Sequence, residues 1–398
     1  MSKKILIVEE ALLDQKAHWY SYIYTISEAA AKKGWEVDVA CNINADSNVK
    51  ESYSSFPLFD YSVYLDNERD KLPGEKYYSF ILHSLRSIRV VWPFLKKRPV
   101  YDEIFVPTVL VQHLLAWLII MLFHPKKPKR LTLFFVTNPG VWKKETQKSG
   151  IPISSYLVKY LITLFKNLVK KNSVKLAVET RLAKEEFESL TNIRFHLFPH
   201  PVQFDNYPFK VQHSNELLFS CFGFARHEKG SDLLKTAIEK FLTERSLHIA
   251  KFIIQWTDSF KMPDGSVCSP GNLLTGNSRV SLITTPLNND EYQSLLKSSD
   301  CMVLPYRNSS YYARVSRVAI EAACYGIPMI YTKGGWLEEM VTEYGAGIGI
   351  KDESVEQIFE AINNMALNII EYKESAAKKL LHARQYFSPV NFIEQLVE

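Results

Sequence analysis

Much that would announce a specialised class is missing from this chain of 398 residues. Glycine and proline number only 15 and 18, which excludes a collagen-like or low-complexity chain. The five cysteines, Cys41, Cys221, Cys268, Cys301 and Cys324, form no CxxC pair. That excludes a zinc ribbon and a thioredoxin-type motif, and the odd, scattered set points to a reducing compartment. No Asp-x-Asp pair occurs, so no cation held on a diphosphate by paired carboxylates is expected, and no metal site or cofactor is predicted. HExxH, GxSxG and GxxxxGK[ST] are absent as well, which weakens hydrolase and P-loop readings. Only four apolar residues, Ile5 to Val8, precede Glu9 and Glu10. That is too short for a signal-peptide core, so a cytoplasmic location is expected. The apolar segment Thr108–Phe123 contains Gln112 and His113. It is under the length of a span and reads as a buried helix.

What is present is an ordinary globular balance, 46% hydrophobic and 23% charged, with enough chain for two cores. The net charge of +5 hides an asymmetry. Arg86 to Lys175 holds 17 Lys and Arg against three acids, Asp102, Glu103 and Glu145, or +14, leaving −9 for the remainder. Such polarity implies an anionic partner: nucleic acid, an acidic membrane surface or a phosphorylated substrate. Lys126, Lys127, Lys129 and Arg130 form a dense basic loop. In Ser154–Lys171, Leu157, Tyr160, Leu161, Leu164, Phe165 and Leu168 share one helical face, with Lys159, Lys166, Lys170 and Lys171 largely off it. The pattern fits a basic amphipathic helix on a membrane, or a core-facing helix with solvated lysines. No RRM, KH or helix-turn-helix motif accompanies the charge, so nucleic acid is not an expected partner.

Short apolar runs alternate with helical stretches along the whole chain. In the first half the predicted strands are Ile5–Val8, Glu36–Cys41, Val63–Leu65, Glu103–Val106, Leu131–Val136 and Val174–Val178. Strands apolar throughout suggest parallel sheets covered on both faces, built from βαβ units. The pattern resets at Pro199-His200-Pro201, where two prolines stop helix and sheet. The predicted fold class is α/β, with two Rossmann-like doubly wound domains facing a cleft. They span residues 1–200 and 201–370, and the tail 371–398 is expected to pack back on the first. Ligands of such sheets sit at the carboxyl ends of the strands.

Two motifs occupy such positions. The first runs from Phe222 to Leu234 after a predicted strand, with Gly223, Arg226 and Lys229 leading into a helix. Two cations beside a helix start suit a diphosphate, although an exposed turn with solvated Arg and Lys has the same pattern. The second runs from Pro305-Tyr306-Arg307 through Arg314, Ser316 and Arg317 to Glu321 in an apolar helix. Ser316 could cap that helix with its amides facing a phosphate. Glu321 could accept from two ribose hydroxyls, or simply pair with Arg317 one turn earlier. On the other half, His18 and Trp19 after the first strand could contact a sugar, though Trp19 equally reads as core. Asn138, in Asn138-Pro139-Gly140, is a candidate contact to donor sugar or acceptor, or a simple turn.

The FGxxRxxKGxDLL run, the LPYR strand end and the RxSxxxxEAxxxGIPMI helix resemble the C-terminal domain of retaining GT-B glycosyltransferases of family 4, over most of residues 215–370. The resemblance implies a nucleotide diphospho-sugar donor on that domain and hexosyl transfer to an acceptor hydroxyl with retained anomeric configuration. Arg226 and Lys229 would clamp the diphosphate and act as the catalytic residues. Gly223, Arg314, Ser316 and Glu321 would complete donor binding, with Glu321 as the ribose anchor. Together with the basic stretch it suggests polysaccharide or glycolipid biosynthesis, with a lipid-linked or glycan acceptor at an anionic inner membrane face and a peripheral location there. Two features depart from the family. Ala313 stands where many members carry a glutamate eight residues before Glu321, and no glycine-rich loop follows the first strand. The rival readings are a GT-B-fold nucleotide-sugar epimerase and a non-enzymatic nucleic-acid-binding protein.

Overall fold

A computed structural model describes residues 2–15, 18–63, 75–205, 216–244 and 250–398. The chain divides into two compact units. The first comprises Met1–Val141, Gly150–Gln203 and Ser388–Glu398, and the second comprises Trp142–Ser149 and Phe204–Phe387. The tail therefore divides at Ser388 rather than at the expected residue 371. Helix Ile369–Tyr386 belongs to the second unit and helix Pro389–Val397 to the first.

In chain order the strands are β1 (Lys4–Val8), β2 (Glu36–Asn42), β3 (Ser54–Phe59), β4 (Glu103–Val106), β5 (Arg130–Phe135), β6 (Val141–Lys143), β7 (Lys148–Gly150), β8 (Val174–Val178) and β9 (His196–Leu197). Seven of them form a parallel sheet in the order β3-β2-β1-β4-β5-β8-β9. The sheet grows outward from β1 and β4, so the topological switch point lies between them. The apolar runs are buried on both faces: every residue of β4 and β8 is buried.

The strand expected at Val63–Leu65 lies instead at Ser54–Phe59. Val63 is not in a strand, and residues 64 and 65 lie outside the described residues. A Ser-Ser pair and Pro57 disguised β3 as a turn. Proline is tolerated there because β3 is an edge strand. Helix Arg181–Thr191, capped by the Thr180 hydroxyl accepting from the Ala183 amide at 3.1 Å, went unpredicted. The single helix expected over Ser154–Lys171 is broken into a 3-10 turn and helices Tyr156–Thr163 and Lys166–Lys170. The break divides its apolar face. Leu161, Ile162 and Phe165 enter the core, while Ile153, Tyr156, Leu157, Tyr160 and Leu164 are left exposed, Ile153 at 87% and Tyr160 at 65%.

Part of the basic stretch is structural. Arg130 forms a 2.6 Å pair with buried Glu103 and donates to the Leu396 carbonyl at 3.0 Å, and Lys175 donates to the Gln395 carbonyl at 3.0 Å. These two cations hold the carbonyl end of the last helix, where the helix dipole is negative. Phe392, Ile393 and Leu396 of that helix sit in one core cluster with Ile5, Ile23 and Phe134. Among the described residues no helix is long and apolar enough to cross a membrane.

The second unit contains β10 (Leu217–Cys221), β11 (Ala250–Gln255), β12 (Phe260–Lys261), β13 (Val267–Cys268), β14 (Val280–Ile283), β15 (Cys301–Leu304), β16 (Met329–Thr332) and β17 (Gly347–Ile350). Six form a parallel sheet, β14-β11-β10-β15-β16-β17, and β12 and β13 make a small hairpin. β10 and β15 are neighbours at the switch point of this sheet, and both predicted motifs leave from their carboxyl ends.

Candidate active site

Gly223 leaves β10 at φ +86°, a conformation L side chains rarely adopt, and its amide donates to Gln255 Oε1 at 2.6 Å. A Cβ there would overlap Lys229 Nζ. The positive φ is what requires glycine here, since the ammonium is the far end of a flexible side chain that could shift. A 3-10 turn over His227–Lys229 then brings the chain to Gly230, at φ +65°, where a Cβ would overlap the Pro305 carbonyl oxygen. Helix Ser231–Thr243 starts immediately after.

Lys229 stands over the Tyr306 ring, 6.0 Å from its centroid, beside the buried Cys221 thiol. Burial lowers its pKa below the usual lysine value, and among the described residues no carboxylate forms an ion pair with it. An anion placed here would restore what burial removes. Arg226 is half-exposed, its guanidinium paired with Glu228 at 3.4 Å, and its amide donates to Ser231 Oγ at 3.0 Å. Arg226, Arg314 and Glu228 all act electrostatically on the Tyr311 hydroxyl, so the two arginines converge on one tyrosine. Arg314 is exposed.

Ser316 caps helix Arg317–Tyr325, its Oγ accepting from the Ala319 amide at 3.3 Å, and it is hydrogen-bonded to the Tyr306 hydroxyl. Glu321 is 1% exposed, and both its oxygens are engaged. Oε1 accepts from Arg317 Nε at 2.9 Å and Oε2 from the Tyr292 hydroxyl at 2.5 Å. The ion pair that the spacing permitted is therefore formed, and a ribose would have to compete for these lone pairs.

The residue the sequence reading passed over is Arg307. It is buried, donates bidentately to Asp232 at 2.8 and 2.7 Å, donates from Nε to Glu353 at 3.0 Å and also bonds the His227 carbonyl. It ties the loops after β10, β15 and β17 into one frame beneath Arg226 and Lys229. The LPYR strand end was its only signal, and nothing there distinguished a frame arginine from a phosphate-binding one. Lys144 pairs with the same Glu353, and the Trp142 ring packs tilted against Tyr312 with centroids 5.3 Å apart, so the Trp142–Ser149 segment is built onto this frame.

The first-unit candidates have surroundings of their own within that unit. Trp19 packs partly buried against the core, the alternative its sequence allowed. Asn138 Nδ2 donates to Glu186 Oε2 at 2.8 Å and to the Gly140 carbonyl at 3.1 Å, which makes it the turn residue of Asn138-Pro139-Gly140. His18 begins helix His18–Lys32, and its side chain lies outside the described residues. The loop after β1 instead buries Glu9 and Glu10 beside His83 and His113, a cluster the sequence reading missed. Its signal was a pair of glutamates directly after an apolar strand.

The family profile of Glycosyl transferases group 1 matches residues 273–379. The second unit carries a group 1 glycosyltransferase region. The match contains Arg314, Ser316 and Glu321 and begins after Lys229. Solved structures extend the likeness to the whole chain. Sucrose-phosphate synthase from Thermosynechococcus elongatus is 15% identical, covering 99% of this chain and 97% of that one, with a TM-score of 0.67. HepE of Anabaena in complex with UDP-glucose is 14% identical over 99% and 98%, at 0.61. WaaG, a glycosyltransferase involved in lipopolysaccharide biosynthesis, is 14% identical over 98% and 99%, also at 0.61. At that identity the structures establish the fold, which is GT-B. Comparison with curated protein sequences gives no match. Glycosyl transfer is thus supported by the profile over residues 273–379 and by the GT-B fold of the whole chain.

Proposed function

We propose that the second unit holds a nucleotide diphospho-sugar with its diphosphate at Lys229, Arg226 and Arg314 and its ribose at Glu321, and that the hexosyl group passes to an acceptor hydroxyl with retained configuration. The observation that carries this reading is the unpaired, partly desolvated Lys229 ammonium seated over Gly223. Among the described residues no carboxylate is ion-paired with Lys229, and negative charge develops on the leaving diphosphate, so the cation stabilises the transition state more than the substrate. Arg226 and the start of helix Ser231–Thr243 add to the same field. Glu321 would exchange its Arg317 and Tyr292 bonds for ribose hydroxyls. We assign no substrate contact to Trp19 or Asn138. The complex of Anabaena HepE with UDP-glucose makes that donor the first to try.

We further propose that the first unit takes an acceptor presented at an anionic membrane surface. Exposed Ile153, Tyr156, Leu157, Tyr160 and Leu164 stand among Lys159, Lys166, Lys170 and Lys171, an apolar-aromatic patch with a basic surround. Each cation near such a surface contributes ~1 kcal/mol. Lys126 and Lys127 extend the charge, whereas Arg130 and Lys175 are committed to the last helix. A thermal-shift panel of UDP-, GDP- and CDP-sugars tests the donor, since a bound ligand stabilises by mass action. Stabilisation by one of them in the wild type, lost in Lys229→Ala, supports the site; an equal shift in both proteins rejects it. Co-sedimentation with anionic but not neutral vesicles, reversed by salt, tests the surface.

A further inference from the structure

From between two stretches of the first unit, the chain contributes Trp142–Ser149 to the second. β6 and β7 pair with each other here. The tip turns at Gln147, whose φ is +52° and whose Nε2 donates to the Lys144 carbonyl at 2.8 Å. Residues 143–148 are all exposed, so burial of the hairpin's own surface does not explain where it sits. Two contacts do. Lys144 pairs with Glu353, and the Trp142 ring packs against that of Tyr312 with centroids 5.3 Å apart.

Both contacts bear on the loop that carries Arg314. Glu353 holds φ +57° just after β17 and accepts from Arg307 Nε at 3.0 Å. A side chain in that backbone conformation persists where its surroundings outweigh the cost, and Lys144 and Arg307 are those surroundings. Tyr312 is buried. Its amide donates to the Asn308 carbonyl at 3.1 Å, and its carbonyl accepts from the Trp336 amide at 2.6 Å. A Cβ on Gly335 would come within 2.8 Å of Tyr312 Cα, and one on Gly334 would stand 3.6 Å from Trp142 Cη2. The 334–336 backbone and the indole thus both press on Tyr312. Trp142 Nε1 is buried with no hydrogen-bond partner among the described residues. Ring packing, not a hydrogen bond, places the indole, against the cost of an unmet donor. Arg314 follows two residues after Tyr312, exposed, its amide donating to the Tyr311 carbonyl at 3.2 Å.

We infer that Trp142 is a positioning residue for the diphosphate subsite. It fixes the loop 311–316 in the conformation that presents Arg314, Lys144 holds the hairpin in place for it, and the indole itself touches no ligand. This role rests on the assignment of the diphosphate to Arg314 proposed above. An arginine on an exposed loop binds more weakly when the loop has to be ordered on binding, and a loop ordered beforehand removes that cost.

Titration calorimetry of the full chain with inorganic pyrophosphate tests this, since Arg314 would meet the diphosphate whatever the base. Trp142→Ala and Arg314→Ala should each weaken binding roughly tenfold, and the double variant should bind no worse than the weaker single one, the non-additivity of residues that act as one. Trp142→Phe keeps a ring on Tyr312 and discards the unmet donor, so it should recover most of the wild-type affinity. Should Trp142→Ala not fold, Lys144→Glu takes its place in the cycle: it is an exposed substitution that sets like charges against Glu353. Wild-type affinity in Trp142→Ala overturns the inference, and so do independent losses that multiply to about a hundredfold in the double variant. Trp142→Phe binding no better than Trp142→Ala overturns it too, because packing is the claimed route. In each of these cases a loss in Lys229→Ala leaves the donor site standing. No binding by the wild type, or wild-type affinity in Arg314→Ala, rejects the diphosphate at Arg314 and this role with it.

Discussion

The loops after β1 and β10 leave equivalent strands, each the switch-point neighbour in its own parallel sheet, and they are built on opposite electrostatic plans. After β10, two glycines at positive φ bring the backbone close, and among the described residues no carboxylate forms an ion pair with Lys229. After β1 no glycine appears, and Glu9 and Glu10 are consumed by the Ala11, Val63, Thr108, His83 and His113 groups around them. The same position in the same kind of sheet is left chemically open in one case and closed in the other. Topology says where a ligand could sit. An unspent charge says where one is awaited.

The contrast can be broken most severely at the frame under the open loop. Arg307→Ala leaves Asp232 and Glu353 without their buried partner, and breaking such a pair costs ~3–5 kcal/mol. Urea unfolding should register this as a lower midpoint for the second unit. Lys229→Ala comes next. Loss of one preorganised charge at a developing anion costs on the order of 10²–10³ in rate. Because the ammonium forms no ion pair, the thermal midpoint should barely move. Glu321→Gln is smaller, a loss of ~1–3 kcal/mol in donor affinity if ribose hydroxyls bond to the charged carboxylate. A change in stability alone would assign Glu321 wholly to Arg317 and Tyr292. The smallest effect is a matter of pH. Burial lowers the Lys229 pKa, so donor affinity should decline with rising pH before an ordinary lysine would lose its proton. A profile of KM against pH reads this directly, and it should be unaltered by Glu9→Gln.

The second unit was legible in the sequence because its elements are local. Gly223, Gly230 and Ser316 carry their geometry in their own residue types. The first unit was less so. Pro57 and two serines hid an edge strand, and the helix predicted over Ser154–Lys171 concealed a break that turns part of its apolar face outward. Partnerships between distant segments were not readable at all. Arg307 with Asp232 and Glu353, Arg130 with Glu103 and the last helix, and Glu10 with two histidines each join residues that only the sheet brings together. Charge counting treated Arg130 and Lys175 as surface when both are tethers of the chain's end.

The central claim is that the open loop, and not the closed one, receives the diphosphate. Titration calorimetry with a nucleoside diphosphate on wild type, Lys229→Ala and Glu9→Gln, at one salt concentration and pH 7, tests it most directly. Removing a charge-assisted contact worth ~1.5–3 kcal/mol should weaken binding to Lys229→Ala by roughly tenfold or more, while Glu9→Gln binds as the wild type does. Wild-type affinity in Lys229→Ala, or a loss confined to Glu9→Gln, would contradict the account.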